Sequence, residues 1–238
     1  MTQTLIEEIQ LRPELRAAIA FPQDETASPW PAVVMVHEVF GIDENMRAQM
    51  LRLAGAGYVV IMPDLYSRGG ARKCLTATFK ALAAGKGQAF DDIEVAKAYV
   101  QELPNVTDKV GVIGFCMGGG FALLLANQGY HAANTNYGML PKNLAEALAG
   151  ACPILGNYGA RDGQLKDAKV QLDGALAKLG VEHDIKMYPD SGHAFMNPKQ
   201  GGGPIFGTLL RVSGAKPNPA DATDAWQRIE EFFAKHLA

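Results

Sequence analysis

Three side chains in this sequence have the types and the order that nucleophilic acyl chemistry needs: Cys116, Asp162 and His193. Cys116 lies in Gly114-Phe115-Cys116-Met117-Gly118, between an apolar run ending at Ile113 and a helix-like run over residues 121–126. A strand that turns sharply into a helix around a nucleophile flanked by glycines is a nucleophile elbow, here with cysteine in the serine position. The glycines permit the strained turn. The free amides and dipole at the helix start favour a thiolate.

A thiolate that attacks a carbonyl needs a base, and the base needs a group to orient it. Both follow in chain order. Asp162 closes Pro153-Ile154-Leu155-Gly156-Asn157-Tyr158-Gly159-Ala160-Arg161-Asp162, an apolar strand-like segment with a glycine turn. His193 ends the turn cluster Pro189-Asp190-Ser191-Gly192-His193, which follows the strand-like residues 183–188. Taken singly, each residue has an ordinary explanation: a free cysteine packs in a core, an aspartate after a strand caps or turns, a loop histidine is solvated. Together, at the ends of three successive strand-like segments, they read as nucleophile, acid and base. His37, His131, His183 and His236 lack that setting.

The elements that must position these residues alternate along the chain. Residues 5–11 and 16–21 predict an opening hairpin that turns at Arg12-Pro13-Glu14. Residues 32–36 form the continuous apolar run of a central parallel strand covered on both faces. Asp43 caps a helix reaching residue 54, and Gly55 and Gly57 stop it. Further strands are expected at residues 58–62, 109–113, 132–137, 154–158 and 183–188. Helices are expected at 72–84, 92–103, 144–148, 168–179 and 221–237. The pattern is an α/β fold: a mostly parallel central sheet, helices on both faces, chemistry at the strand ends. No linker-like run divides it, so residues 1–238 read as a single domain. An oxyanion hole in such a fold takes the amide after the nucleophile, Met117, and one from the loop after the third strand, Val39.

Gly-Phe-Cys-Met-Gly-Gly, Tyr-Gly-Ala-Arg-Asp, Ser-Gly-His-Ala-Phe and the earlier His37-Glu38-Val39-Phe40-Gly41 together resemble the dienelactone hydrolase family, or carboxymethylenebutenolidases, over nearly the whole chain. The resemblance implies the α/β-hydrolase fold, Cys116 as nucleophile, His193 as base and Asp162 as its partner. It also implies that Glu38 contacts the thiol and helps to deprotonate it when substrate arrives; read without it, Glu38 is a solvated loop residue in a salt bridge. Dienelactone is the first candidate substrate, and no cofactor is implied. This sequence departs from the family in one place: where relatives carry an arginine soon after the His-Ala-Phe motif to hold the substrate carboxylate, it has Met196-Asn197-Pro198. Arg68, Arg72, Phe195 and Arg211 are the candidate substrate contacts, with Lys199 as a further cation. Residues 196–219, broken by Gly201 to Gly203 and four prolines, read as a loop whose inner run Ile205-Phe206-Gly207-Thr208-Leu209-Leu210 caps the pocket.

Composition narrows the alternatives. With 238 residues and 48% hydrophobic content, the chain can form a large core; folds of this size bury roughly 70–75% of their unfolded surface. A net charge of −3 with scattered lysines and arginines excludes a general nucleic-acid field. No apolar stretch reaches membrane-spanning length, and the first residues lack a signal-peptide pattern. Three cysteines suit a reducing compartment, so the expectation is a cytoplasmic protein with Cys74 and Cys152 as packing residues. The glycines near the elbow lack the Lys-Ser/Thr of a nucleotide loop, and no zinc-ligand spacing occurs, so no metal site is expected. The reading is a cysteine-dependent hydrolase of a small ester or lactone. An esterase or thioesterase for a different, neutral substrate and a non-catalytic binding protein on the same fold are the alternatives. Oligomeric state is left open, a monomer being compatible.

Overall fold

The computed structural model describes residues 5–199 and 216–238, apart from the side chain of Glu25. Among the described residues, eight strands form one sheet: β1 (Ile6–Arg12), β2 (Leu15–Ala20), β3 (Trp30–Val36), β4 (Val59–Pro63), β5 (Val106–Phe115), β6 (Ala132–Asn136), β7 (Ile154–Gly159) and β8 (His183–Tyr188). Their spatial order is β1-β2-β4-β3-β5-β6-β7-β8. The β1–β2 hairpin joins through antiparallel pairing of β2 with β4, and every pairing from β4 to β8 is parallel. Helices α1 (Glu44–Gly55), α2 (Ala71–Ala84), α3 (Gln88–Gln101), α4 (Met117–Leu125), α5 (Leu144–Ala147), α6 (Ala168–Leu179) and α7 (Pro219–Leu237) fill the crossovers and close the chain.

The central strands are apolar without alternation because both faces are covered. Every residue from Ala32 to Val36 is wholly buried, as are Val59, Val60, Ile61 and Met62. At Gly111 a Cβ would fall 2.9 Å from Leu237 and 3.1 Å from Phe233, so the glycine lets α7 lie close on β5. Asp43 does cap α1, its Oδ1 accepting the Met46 amide at 2.9 Å. Asn218 caps α7 in the same way, with Pro219 at the first helical position.

Register fixes what the sheet presents at its carboxyl edge. Val36 is level with Gly114, Phe115 with Asn136, Asn136 with Asn157, and Gly159 with Tyr188. The residues just beyond these points, Glu38, Cys116, Asp162 and His193, therefore emerge along one edge, where open α/β sheets bind ligands.

Candidate active site

Cys116 sits between β5 and α4 with φ 54° and ψ −116°, a strained conformation for a residue with a side chain. The neighbouring glycines allow it. A Cβ at Gly114 would lie 1.9 Å from the Gly118 carbonyl oxygen, and one at Gly118 would lie 2.1 Å from that of Val36. The turn is gripped by Asn136, whose carbonyl accepts the Cys116 amide at 3.0 Å and whose side-chain amide donates to the Gly114 carbonyl at 3.2 Å. Asn136 belongs to a buried ladder. Its Nδ2 also donates to Asn134 Oδ1 at 2.6 Å, its Oδ1 accepts from Asn157 at 2.9 Å, and Asn157 Oδ1 accepts from Arg228 of α7. None of this support was foreseen from the sequence; the signal was three asparagines in apolar strands at the level of the elbow.

Asp162 and His193 come from neighbouring loops that are tied together. The Arg161 amide donates to the Ser191 carbonyl at 2.9 Å, and Ser191 Oγ donates to Asp221 at the start of α7 at 2.6 Å. Gly159 lies so close beneath that a Cβ there would be 2.5 Å from the Ser191 carbonyl oxygen. His193 Nδ1 is 2.6 Å from Asp162 Oδ2, and Asp162 Oδ1 accepts the Gln164 amide at 3.2 Å. An ionised carboxylate only accepts, so Nδ1 carries the proton and Nε2 is left for the thiol side. Burial works against an imidazolium here, yet a thiolate at Cys116 and the Asp162 carboxylate outweigh it and raise the His193 pKa well above its ordinary value. This arrangement can hold a thiolate–imidazolium pair.

Glu38 is not a solvated salt-bridge residue. It is 3% exposed, and its carboxyl group accepts from Asn197 Nδ2 at Oε2, 3.0 Å away. Burial raises its pKa, and the Asn197 bond and the charge of His193 partly offset that. Tyr137 lies near enough to perturb Glu38 without a bond of normal geometry: Glu38 Oε1, Tyr137 Oη and Asn197 Oδ1 are all buried with no hydrogen-bond partner among the described residues. The Tyr137 ring stacks obliquely on His193, with centroids 5.2 Å apart. This pocket wall therefore carries acidic and neutral polar groups.

The candidate substrate contacts divide. Phe195 is wholly buried, between Tyr137 and Tyr188, and offers no surface to a ligand; it packs beneath the histidine loop. Arg68 is committed elsewhere, its two terminal nitrogens on the two oxygens of buried Asp92, 2.5 and 2.9 Å away. Arg72 is exposed at the first turn of α2. The ammonium of Lys199 is paired with Glu44 at 2.6 Å, and its backbone exchanges two hydrogen bonds with Asn45. Arg211 and the apolar run 205–210 lie outside the described residues. Met117, wholly buried, opens α4, and Val39 follows β3 on a loop pressed against that helix start. His37, passed over in the sequence, is wholly buried beside it.

Among the described residues no group of three His, Cys, Asp or Glu side chains could hold a metal ion, and no helix is long and apolar enough to cross a membrane. The sequence pattern of the dienelactone hydrolase family matches residues 15–237. A provisionally named carboxymethylenebutenolidase of Yersinia pestis is 30% identical over 240 residues, 94% of this chain and 84% of that protein. A relative of the same provisional name from Escherichia coli K12 is 29% identical over 232 residues, 89% of this chain and 79% of that one. The crystal structure of a provisionally named dienelactone hydrolase from Klebsiella pneumoniae superposes with a TM-score of 0.79 at 26% identity, covering 98% of this chain and all of that one. The dienelactone hydrolase of Anabaena variabilis shares the fold, with a TM-score of 0.74 at 18% identity. The chain belongs to the dienelactone hydrolase family and is a carboxylic ester hydrolase.

Proposed function

We propose that this hydrolase opens small esters or lactones through a covalent thioester on Cys116, with His193 as base, Asp162 orienting it, and residues 1–238 acting as one catalytic domain. The observation that carries the reading is the 2.6 Å contact of His193 Nδ1 with Asp162 beside a cysteine held at φ 54° on the start of α4. The thiolate sulfur attacks the acyl carbon, a C–S bond forms, and the carbonyl electron pair moves to oxygen. The amides of Met117 and Val39 receive that oxyanion. As the oxyanion collapses, the C–O bond breaks, and His193 protonates the departing alkoxide. It then takes a proton from water, which attacks the thioester and releases the acid.

A neutral substrate is favoured over a carboxylate-bearing one. Asn197, not a cation, contacts Glu38, while Arg68 and Lys199 are engaged by Asp92 and Glu44. A substrate carboxylate near Glu38 would meet a buried acid and the Asn197 amide there, neither of them a cation.

The test is a set of variants assayed on short nitrophenyl esters, neutral lactones and dienelactone. Cys116→Ala is expected to lower turnover by roughly 10⁴-fold or more and to abolish the acyl adduct seen by mass spectrometry. Cys74→Ala and Cys152→Ala should stay near the parent. Asp162→Asn should fold normally and lose about 10²–10⁴ in rate. A Cys116→Ala protein with parental turnover ends the thioester reading, and a kcat/KM highest for dienelactone ends the neutral-substrate reading.

A further inference from the structure

The amide assigned to the oxyanion is only as useful as its direction. The Val39 N–H and the Glu38 carbonyl belong to one planar trans peptide and point to opposite sides of it, so whatever fixes that carbonyl aims the N–H. Two donors fix it. His37 Nδ1 lies 2.7 Å from the Glu38 oxygen, and the Gly41 amide donates to the same oxygen at 3.1 Å. The next carbonyl, that of Val39, accepts the Tyr66 hydroxyl at 3.0 Å.

His37 is in turn held from the far side. The Leu65 amide donates to its Nε2 at 3.2 Å, and the Tyr66 ring lies 4.9 Å from the imidazole. A nitrogen that accepts from an amide carries no proton, so Nδ1 is the protonated nitrogen and donates to the Glu38 oxygen. Full burial depresses the His37 pKa, in keeping with this neutral tautomer. The loops after β3 and β4 thus become one body. Gly118 sets that body against α4: a Cβ there would fall 2.1 Å from the Val36 oxygen and 2.9 Å from that of His37. The spacing between the Met117 and Val39 amides follows.

We infer that His37 and Tyr66 are positioning residues for the oxyanion hole: His37 aims and polarises the Val39 amide by donating to the Glu38 carbonyl, and Tyr66 locks the following peptide. A hydrogen bond accepted by an amide oxygen strengthens the donor at the other end of that amide. The inference rests on the thioester reading, because it concerns the oxygen that becomes negative when the thiolate adds.

Three readouts separate it from a merely structural role, using His37→Leu, His37→Gln and Tyr66→Phe. Turnover of a short nitrophenyl ester gives kcat and KM. Affinity for an aryl trifluoromethyl ketone reports the hole, since thiolate addition turns its carbonyl oxygen into an alkoxide. Alkylation by iodoacetamide, in which the thiolate displaces iodide and no oxyanion forms, reports the nucleophile alone. Removing one oxyanion donor outright costs about 10²–10³ in kcat. His37→Leu is expected to lose about 10–100-fold in kcat and in ketone affinity alike, with KM and alkylation rate within about threefold of the parent. Tyr66→Phe should lose about fivefold in the same two readouts. His37→Gln carries one donor and one acceptor at similar spacing, and should recover most of the loss. Unchanged ketone affinity in folded His37→Leu and Tyr66→Phe proteins with reduced kcat, a His37→Gln protein that recovers none of the loss, or alkylation that slows as much as ketone binding, overturns the inference. Parental protein that iodoacetamide does not label at Cys116 overturns the thioester reading itself.

Discussion

Beneath Cys116 the asparagine side chains are linked from end to end, whereas beside it, around Glu38, three buried polar atoms have no partner among the described residues. Under the elbow, Asn134, Asn136 and Asn157 pass hydrogen bonds from the Gly114 carbonyl to Arg228, and Arg228 pairs with Asp184 at 2.7 Å. Across the site, Glu38 Oε1, Tyr137 Oη and Asn197 Oδ1 are buried without partners among the described residues. A satisfied network rigidifies, while an unpaired buried polar atom lowers stability by about 1–3 kcal/mol. The first region suits the strained backbone of Cys116, the proposed nucleophile. The second leaves the acidic side chain of Glu38 with one oxygen unpaired among the described residues.

The sharpest way to break the comparison is to spoil the rigid side. In Gly118→Ala the new Cβ meets backbone, not a flexible side-chain end, 2.1 Å from the Val36 oxygen. The strand or the helix must move, at a cost of about 3 kcal/mol or more. We expect Tm to fall by roughly 6–12 °C or more and activity per folded molecule to fall at least about 10²-fold, read by circular dichroism and ester turnover. A stable, active Gly118→Ala protein would mean that the elbow is not held by this close approach. Asn136→Ala comes next. It leaves the Gly114 carbonyl, Asn134 Oδ1 and Asn157 Nδ2 each short of a partner, so a loss of about 3 kcal/mol, roughly 6–12 °C in Tm, is expected, with KM little changed. A shift under about 2 °C would place the rigidity elsewhere.

The two regions also differ in how far they could be read from sequence. The elbow was legible because its turn demands glycine at Gly114 and Gly118, a constraint that local backbone geometry writes directly into residue type. Asp162 and His193 were legible because each ends a strand-like segment, and parallel strands put their carboxyl ends on one edge. The strand positions followed from apolar runs, but the order β2-β4-β3 did not, since pairing is decided between segments distant in the chain. Partnerships failed for the same reason. Nothing near Arg68 announces Asp92, 24 residues on, and nothing near Glu38 announces Asn197, 159 residues on. Phe195 read as a pocket residue because it follows the histidine, yet its side chain turns inward against Tyr188 at 4.9 Å.

Glu38 gives the smallest effect and the finest test of the unpaired side. Its folded-state pKa is raised by burial, while an unfolded glutamate ionises near pH 4.3. Below that pH both states hold the proton and the carboxyl group is no liability. As pH rises, the unfolded chain ionises first, binds fewer protons than the native state, and stability declines until the folded pKa is passed. Glu38→Gln cannot ionise, keeps an oxygen for Asn197, and turns a donor toward the neighbouring Tyr137 hydroxyl. Its Tm should match the parent near pH 4 and exceed it by a few degrees at pH 8, the gain opening as pH rises between those values. Acylation at pH 7 should slow in the same variant and recover in part at higher pH, where the thiol ionises without help. A Tm difference that is constant from pH 4 to 8, or a variant less stable than the parent at pH 8, would show that Glu38 is paired in solution and that the contrast between the two sides is not one of satisfied against unsatisfied polar groups.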